Sequence, residues 1–255
     1  MLFLLKIALP PILVAAMSLA ARLWGPTIGG LLLGLPWMTG PVLYFLALDK
    51  GTAFAVEACI GIELGVVCIC AFVLAYGIAS AFARWPICLA AAAGAFAATA
   101  WATYGVDLAL AMAAAAAATS LLIAYLLLPR PAMSALPAAL PWWDIPARAL
   151  AALALVTVIV LSADLLGPQL SGVVSTYPAM VTVIGAFTHQ RWGAAALRHM
   201  LRALMLSLLA FVAFFLVVGV TLPTVGLVAA FVLGTAAALP ISALLLAFNR
   251  WGGAR

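Results

Sequence analysis

One motif occurs twice in this sequence, and its two copies align without a gap. The copies span residues 25–51 and 167–193, and seven of their 27 positions are identical. The identities are Gly25, Pro26, Gly30, Pro36, Met38, Phe45 and Gly51, matched by Gly167, Pro168, Gly172, Pro178, Met180, Phe187 and Gly193. We call two residues that lie 142 positions apart, such as Gly25 and Gly167, counterparts. Self-similarity at a fixed offset indicates that the chain contains two copies of one structural unit.

The chain is too apolar to cover itself with a water-facing surface. Of its 255 residues, 69% are hydrophobic and only 7% are charged. A soluble domain carries roughly 25% charged residues, so a water-soluble helical protein is excluded for lack of polar helix faces. We therefore predict a multi-pass protein of the bacterial inner (plasma) membrane.

Apolar runs of about 20 residues, the length that crosses a bilayer as a helix, predict an all-α bundle of nine transmembrane helices. Residues 85–128 are divided in two near Gly105, because a single helix of that length would exceed the thickness of any bilayer. The predicted spans are residues 3–21, 28–48, 54–79, 85–105, 106–128, 147–166, 170–188, 196–219 and 222–247.

The basic residues predict how this bundle is oriented. If successive loops alternate between the two sides, one side receives only Lys6 and Lys50. The other side receives Arg22, Arg84, Arg130, Arg148, Arg191, Arg198, Arg202, Arg250 and Arg255. Positive residues concentrate on the cytoplasmic side of membrane proteins, so the N-terminus is expected outside and the C-terminus in the cytoplasm.

An odd number of spans places the two copies of the motif upside down relative to each other. We expect an inverted-topology repeat arranged as four helices, one linker helix and four helices. Residues 1–105 then form the first repeat and residues 147–255 form the second. Residues 106–146 supply the linker helix and a Pro-rich cytoplasmic loop, with Trp142 and Trp143 at the membrane interface.

The spacing Gly-x4-Gly-x5-Pro, with Gly172 and Pro178, followed by Gly193 and the Ala196-Leu197-Arg198 step, resembles the small GlpM-type inner-membrane proteins. The resemblance covers Leu165 to Val218 and, more weakly, Gly25 to Glu57. It implies that a short ancestor was duplicated and fused into a tandem, and it implies no particular substrate. The first copy departs from the pattern after Gly51, where Glu57 and Glu63 replace the basic stretch.

The second and seventh spans are predicted to be broken helices. Proline removes a backbone donor and clashes with the preceding turn, and the freed backbone groups form the usual substrate sites of inverted-repeat carriers. The candidate substrate-binding residues around the two breaks are Pro36, Trp37, Thr39, Ser171, Ser175, Thr176, Tyr177, Pro178 and Thr182. The alternative is that these small and kinked positions only allow close helix packing.

Glu63 is the candidate for proton coupling, because it lies about ten residues into the third span among apolar neighbours. A carboxyl group there is expected to face the bundle interior, to be protonated or to be paired. Burial favours its neutral form, which suits proton exchange. The alternative is a structural hydrogen bond to a Ser, Thr or Trp side chain.

The densest basic cluster in the sequence contains Arg191, Arg198 and Arg202. It is a candidate inner mouth that attracts anionic substrates. The alternative is that these arginines anchor the protein against acidic headgroups.

No motif for enzymatic chemistry, metal binding or cofactor binding occurs in the sequence. Cys68 and Cys70 have the wrong spacing for the usual zinc pairs, and all four cysteines are expected to be small buried hydrophobes. We expect no enzyme, no cofactor, no metal and no nucleic-acid partner. The expected partners are the lipid bilayer and a small-molecule substrate, with a homodimer or a partner membrane subunit left open.

Secondary transport by alternating access is the function that this architecture favours, with coupling to protons through Glu63. The substrate is not identified, although the arginines favour a small anionic or amphiphilic solute. Two alternatives remain open: a non-transporting scaffold subunit of a membrane complex, and a membrane-embedded lipid-modifying protein.

Overall fold

A computed structural model describes residues 12, 14–20, 22–33, 35–36, 39–131, 143–155, 157 and 177–252. Regular secondary structure in these residues is entirely helical, as the sequence predicts. The helices are α1 (Val14–Trp24), α2 (Pro26–Leu33), α3 (Thr39–Lys50), α4 (Thr52–Ala79), α5 (Trp85–Ala102), α6 (Leu110–Leu127), α7 (144–155), α8 (Ala179–Val225) and α9 (Leu227–Gly252). The predicted span at 147–166 therefore begins three residues earlier than expected, inside the segment assigned to the loop.

Five helices in the described part of the chain are long and apolar enough to cross a membrane, namely α4, α5, α6, α8 and α9. Helix α8 is buried along most of its span, whereas α5, α6 and α9 leave most of theirs exposed. Their exposed side chains include Trp101, Leu126 and Leu244. Helix α8 is therefore the most buried of the five, and the outer helices present apolar faces that are more stable in hydrocarbon than in water.

The predicted division of residues 85–128 is confirmed. Helix α5 ends at Ala102 and α6 begins at Leu110. Gly105 between them has a φ of 74°, a left-handed conformation that glycine adopts without the steric cost of a Cβ.

The predicted interruption of the second span is present at Pro36. Helix α2 ends at Leu33 and α3 begins at Thr39, with Leu35 and Pro36 outside helical structure. The two pieces have 8 and 12 residues, so they reach about 12 and 18 Å. Neither piece alone crosses a hydrocarbon core of about 30 Å.

Helix α8 consists of two arms that meet at Gly193, where φ is 79° and ψ is 178°. The first arm covers residues 179–192 and the second covers residues 194–225. Gly51, the counterpart of Gly193, has nearly the same backbone conformation, with φ 88° and ψ 172°, and directly precedes α4. The first residues of α5 and α9, Trp85 and Leu227, are counterparts as well.

Helix α4 and the second arm of α8 run antiparallel. A Cβ built on Gly77, near the end of α4, would approach Leu201, near the start of the second arm. A Cβ built on Gly219, near the end of the second arm, would approach Cys59, near the start of α4. This register places Cys68 level with Ala210 at the middle of the pair.

Helix α6 lies against both of these helices. Its C-terminal neighbour Leu128 fills the space in front of Gly77, and its first residue Leu110 fills the space in front of Gly219. The two glycines therefore allow α6 to approach α4 at one end and α8 at the other.

Arginines collect at one end of this bundle, which we call the basic end. Arg198 donates from Nε to Ser80 Oγ at 3.0 Å. Ser80 lies only four residues before Arg84 in the chain, so Arg84 belongs to the same end. Arg202 donates from Nη1 to the Leu128 carbonyl at 3.0 Å. Leu128 lies two residues before Arg130, which therefore belongs to this end as well. Gly51 and Lys50 lie at the opposite end, where α4 begins.

Candidate functional site

The helix interruption at Pro36 borders an open, apolar hollow of about 450 Å³. Phe214, from the second arm of α8, closes one wall, and a Cβ at Gly40 would lie 3.8 Å from its ring. The remaining walls come from α3 and α9. The lining residues are Pro36, Gly40, Pro41, Tyr44, Phe45, Phe214, Phe231 and Thr235.

The corresponding place beside Pro178 is filled by an aromatic side chain. Tyr177 lies edge-on to Phe72 of α4, with ring centroids 5.8 Å apart, and to Phe96 of α5 at 5.3 Å. Thr182 Oγ1 donates a hydrogen bond to the Tyr177 hydroxyl oxygen at 3.1 Å. Phe72 is the counterpart of Phe214, so Pro36 and Tyr177 each lie near a phenylalanine from the other half of the chain.

The predicted substrate-binding residues are thus only partly brought together. Pro36 lines the hollow, and Thr39 is half-buried at the start of α3 without lining it. Tyr177, Pro178 and Thr182 lie together at the start of α8, and the part of the seventh span before Tyr177, on which its predicted break depends, lies outside the described residues. Trp37, Ser171, Ser175 and Thr176 lie outside the described residues.

Glu63 is completely buried in α4, and neither carboxyl oxygen has a hydrogen-bond partner among the described residues. The alternative of a structural hydrogen bond therefore receives no support from that part of the chain. At 100° per residue, Glu63 shares a helix face with Cys59 and Gly77, which both lie against α8. The carboxyl group consequently sits on the face that joins α4 to α8.

The depth of Glu63 matches that of the hollow. The antiparallel register places Glu63 level with Phe215, the neighbour of the lining residue Phe214. Glu63 lies five residues from Cys68 along α4, or about 7–8 Å from the middle of the α4–α8 pair at 1.5 Å per residue. The hollow lies on the same side of that middle level.

Arg198 and Arg202, two of the three arginines of the predicted inner mouth, donate hydrogen bonds to the ends of neighbouring helices. Arg202 donates to the carbonyls of Tyr125 and Leu128 at 3.1 and 3.0 Å, and its guanidinium lies 4.0 Å from the centre of the Tyr125 ring. Carbonyls in the last turn of a helix lack intrahelical partners. A cation at this position also interacts favourably with the negative end of the helix dipole. Arg202 therefore caps the C-terminus of α6. Arg198 links the start of the second arm of α8 to Ser80, directly after α4.

A buried ion-pair cluster at the basic end was missed by the sequence analysis. Arg148 donates from Nε to Asp144 Oδ2 at 2.8 Å, and both side chains are almost fully buried. Arg191 Nε lies 3.8 Å from Asp144 Oδ1. Opposite charges four residues apart share a helix face, so the spacing of Asp144 and Arg148 was the available signal. It was overlooked because residues up to 146 were assigned to a loop.

The described residues include all four cysteines of the chain. They contain no group of three or more His, Cys, Asp or Glu side chains that could hold a metal ion. Cys59, Cys68, Cys70 and Cys88 are free and buried. Ser120 donates to Cys70 Sγ at 3.4 Å, and Cys88 Sγ donates to the Ala83 carbonyl at 3.3 Å.

Comparisons with known proteins return no relatives. No protein-family model, curated protein or solved structure matches this chain.

Proposed function

We propose that the protein is a secondary transporter that works by alternating access between two inverted repeats. The observation that carries the proposal is the pairing of α4 with the second arm of α8. Gly219 is the counterpart of Gly77, and Leu201 is the counterpart of Cys59. The approach of Gly77 to Leu201 and the approach of Gly219 to Cys59 are therefore the same contact with the two copies exchanged. Because the two helices run antiparallel, this exchange reverses direction across the bundle, as an inverted repeat requires.

The position of α6 supports the same symmetry. Leu128, which meets Gly77, and Leu110, which meets Gly219, lie nine residues on either side of Thr119. A two-fold axis through the middle of α6 exchanges its ends and exchanges α4 with the second arm. Such an axis supports the proposed arrangement of four, one and four helices, with residues 106–128 as the linker span.

The unequal surroundings of Pro36 and Pro178 are what one state of such a carrier should look like. The place beside Pro36 is an open hollow, whereas Tyr177 fills the place beside Pro178. Alternating access exchanges these two conditions, so the opposite state has Tyr177 displaced and the hollow closed. Rigid-body rocking of one repeat against the other around a central site is the usual route.

Glu63 is the proposed proton carrier. A carboxyl group without a hydrogen-bond partner is costly inside a protein, and intramembrane ionisable residues usually serve a function. Its depth beside the hollow, on the face between α4 and α8, allows its protonation to favour one of the two states.

The proposed orientation places the basic end in the cytoplasm, with the N-terminus outside. The hollow then opens in the outer half of the membrane and Tyr177 lies in the inner half. A duplicated GlpM-like ancestor that could insert in both orientations would give rise to this arrangement.

Alternating access can be tested without knowing the substrate, because Thr235 lines the hollow and its counterpart is Ala93. Each is changed to Cys in a background without the four native cysteines, and a membrane-impermeant maleimide is applied to proteoliposomes from either side. We expect Thr235→Cys to be labelled and Ala93→Cys to be protected. Adding Tyr177→Ala should reverse this preference, whereas Tyr104→Ala, which removes an exposed tyrosine ring, should not.

Proton coupling is tested with the same labels. The ratio of Thr235→Cys to Ala93→Cys labelling should change between acidic and alkaline buffer, and Glu63→Gln should remove that change. Glu57→Gln, at an exposed position of the same helix, is the matched control. A labelling ratio that changes neither with Tyr177→Ala nor with pH would contradict the proposed transporter and favour a static scaffold.

A further inference from the structure

We infer that Arg148, Asp144 and Arg191 form a binding site for an oxyanion, which is a phosphate or carboxylate group. Arg148 uses only its Nε to reach Asp144. Its two terminal nitrogens, Nη1 and Nη2, are buried and have no hydrogen-bond partner among the described residues. A guanidinium presents these nitrogens as a planar fork that matches the two oxygens of a carboxylate or phosphate.

The charge of the cluster favours an anion. Two guanidinium groups face one carboxylate, so the cluster carries one uncompensated positive charge. Arg191 Nε lies 3.8 Å from Asp144 Oδ1, which is too far for a hydrogen bond, and both atoms lack a partner in the described part of the chain. Leaving a charged donor buried and unpartnered is costly, and a bound oxyanion would remove that cost.

Aromatic rings hold the two arginines in place while leaving the Arg148 fork unsatisfied. The Arg148 guanidinium lies 5.0 Å from the Phe187 ring and 5.9 Å from the Trp192 ring, and Arg191 lies 4.7 Å from Trp143. The indole N–H of Trp192 is another buried donor without a partner among the described residues. The cluster therefore combines a positioned fork with a second unpartnered donor, carried by a ring that lies beside the same guanidinium.

The position of the cluster allows two sources for the oxyanion. Arg191 lies two residues before the break at Gly193, at the basic end where the bundle meets the headgroup region. Basic pockets between helices on the cytoplasmic side hold lipid head groups, and a soluble solute carrying the same group can reach the same depth. The inference goes beyond transport, because the site would bind its anion whether or not the protein carries it.

The test is thermal unfolding of the purified full chain in nonionic detergent. One arm adds inorganic phosphate or acetate at constant ionic strength against chloride, and the other adds phosphatidylglycerol against diacylglycerol, which lacks phosphate. We expect the unfolding temperature to rise by at least about 2–4 °C in one of the arms. A rise with phosphatidylglycerol alone identifies a headgroup site, and a rise with soluble anions identifies a solute site.

Variants separate this site from general electrostatics. Arg148→Lys keeps the charge beside Asp144 but removes the fork, so the rise should disappear. Arg202→Lys, at the end of α6, should retain the rise. If Arg148→Lys does not fold, Trp192→Phe decides, because it keeps the ring and removes one donor; it should weaken anion affinity several-fold. The inference is overturned if no anion stabilises the wild-type protein, or if the decisive variant keeps the full effect.

Discussion

Gly77 and Gly219 occupy corresponding places in α4 and α8, and each is the position where a leucine of the α6 region fits against the helix backbone. Leu128 lies in front of Gly77, and Leu110 lies in front of Gly219. A side chain at either glycine would occupy the space of its leucine. Helix α6 therefore packs closely against α4 at one end and against α8 at the other.

Valine at either glycine should destabilise the protein by overpacking. We expect Gly77→Val and Gly219→Val each to lower the free energy of unfolding by about 1–3 kcal/mol relative to a control. Gly61→Val is that control, because it lies in α4 with no atom within 4 Å of an added Cβ. Chemical unfolding in detergent micelles measures the difference, and equal losses at all three positions would contradict the proposed packing of α6.

Alanine at Gly51 or Gly193 should be costly for a different reason. An added Cβ meets no atom within 4 Å at either position, so only the backbone conformation opposes it. With φ of 88° and 79° and ψ of 172° and 178°, both glycines lie in a region essentially restricted to glycine, and a side chain there costs about 1–3 kcal/mol.

The two substitutions should therefore produce similar losses of stability, measured by thermal unfolding. The helical, exposed Gly61→Ala should instead be neutral or stabilising by about 0.5–1 kcal/mol. A large loss at one of the two glycines and none at the other would show that the helix starts are not equivalent.

Replacing Glu63 by leucine should make the protein more stable and abolish its pH response. The substitution removes a buried polar group without a partner in the described residues, whose burial costs about 1–3 kcal/mol. Glu57→Leu, at an exposed position of α4, should change stability by no more than about 0.5 kcal/mol. If Glu63→Leu unfolds more easily than wild type, the carboxyl group has a structural role.

Arg202→Gln should destabilise the protein without weakening anion binding. It removes the charged donor to the Tyr125 and Leu128 carbonyls, and hydrogen bonds to charged groups contribute about 1.5–3 kcal/mol. Arg198→Gln, which removes a single bond to Ser80, should cost less. Circular dichroism measures the unfolding temperature of both variants. The rise in unfolding temperature on adding the anion should be unchanged in the Arg202 variant, and a smaller rise would show that Arg202 itself binds the ligand.

Much of the helical framework follows from local features of the sequence. The breaks at Pro36, Gly105 and Gly193 were predictable because proline lacks a backbone donor and glycine tolerates positive φ. The buried position of Glu63 followed from its apolar neighbours. The roles of the basic residues were less predictable, because Arg191, Arg198 and Arg202 are close in sequence but bind three different partners.

The sequence by itself determined that the chain is an apolar helical membrane protein and that its helices break at Pro36 and near Gly105. Those properties depend on hydrophobicity and on backbone restrictions within a few residues. Only the tertiary structure decided that α4 pairs with α8, that Tyr177 packs against Phe72 and Phe96 while a hollow stays open beside Pro36, and that the Arg148 fork has no partner among the described residues. The physical reason is that each of these depends on packing between side chains that lie far apart in sequence, or on atoms left without partners once packing is complete.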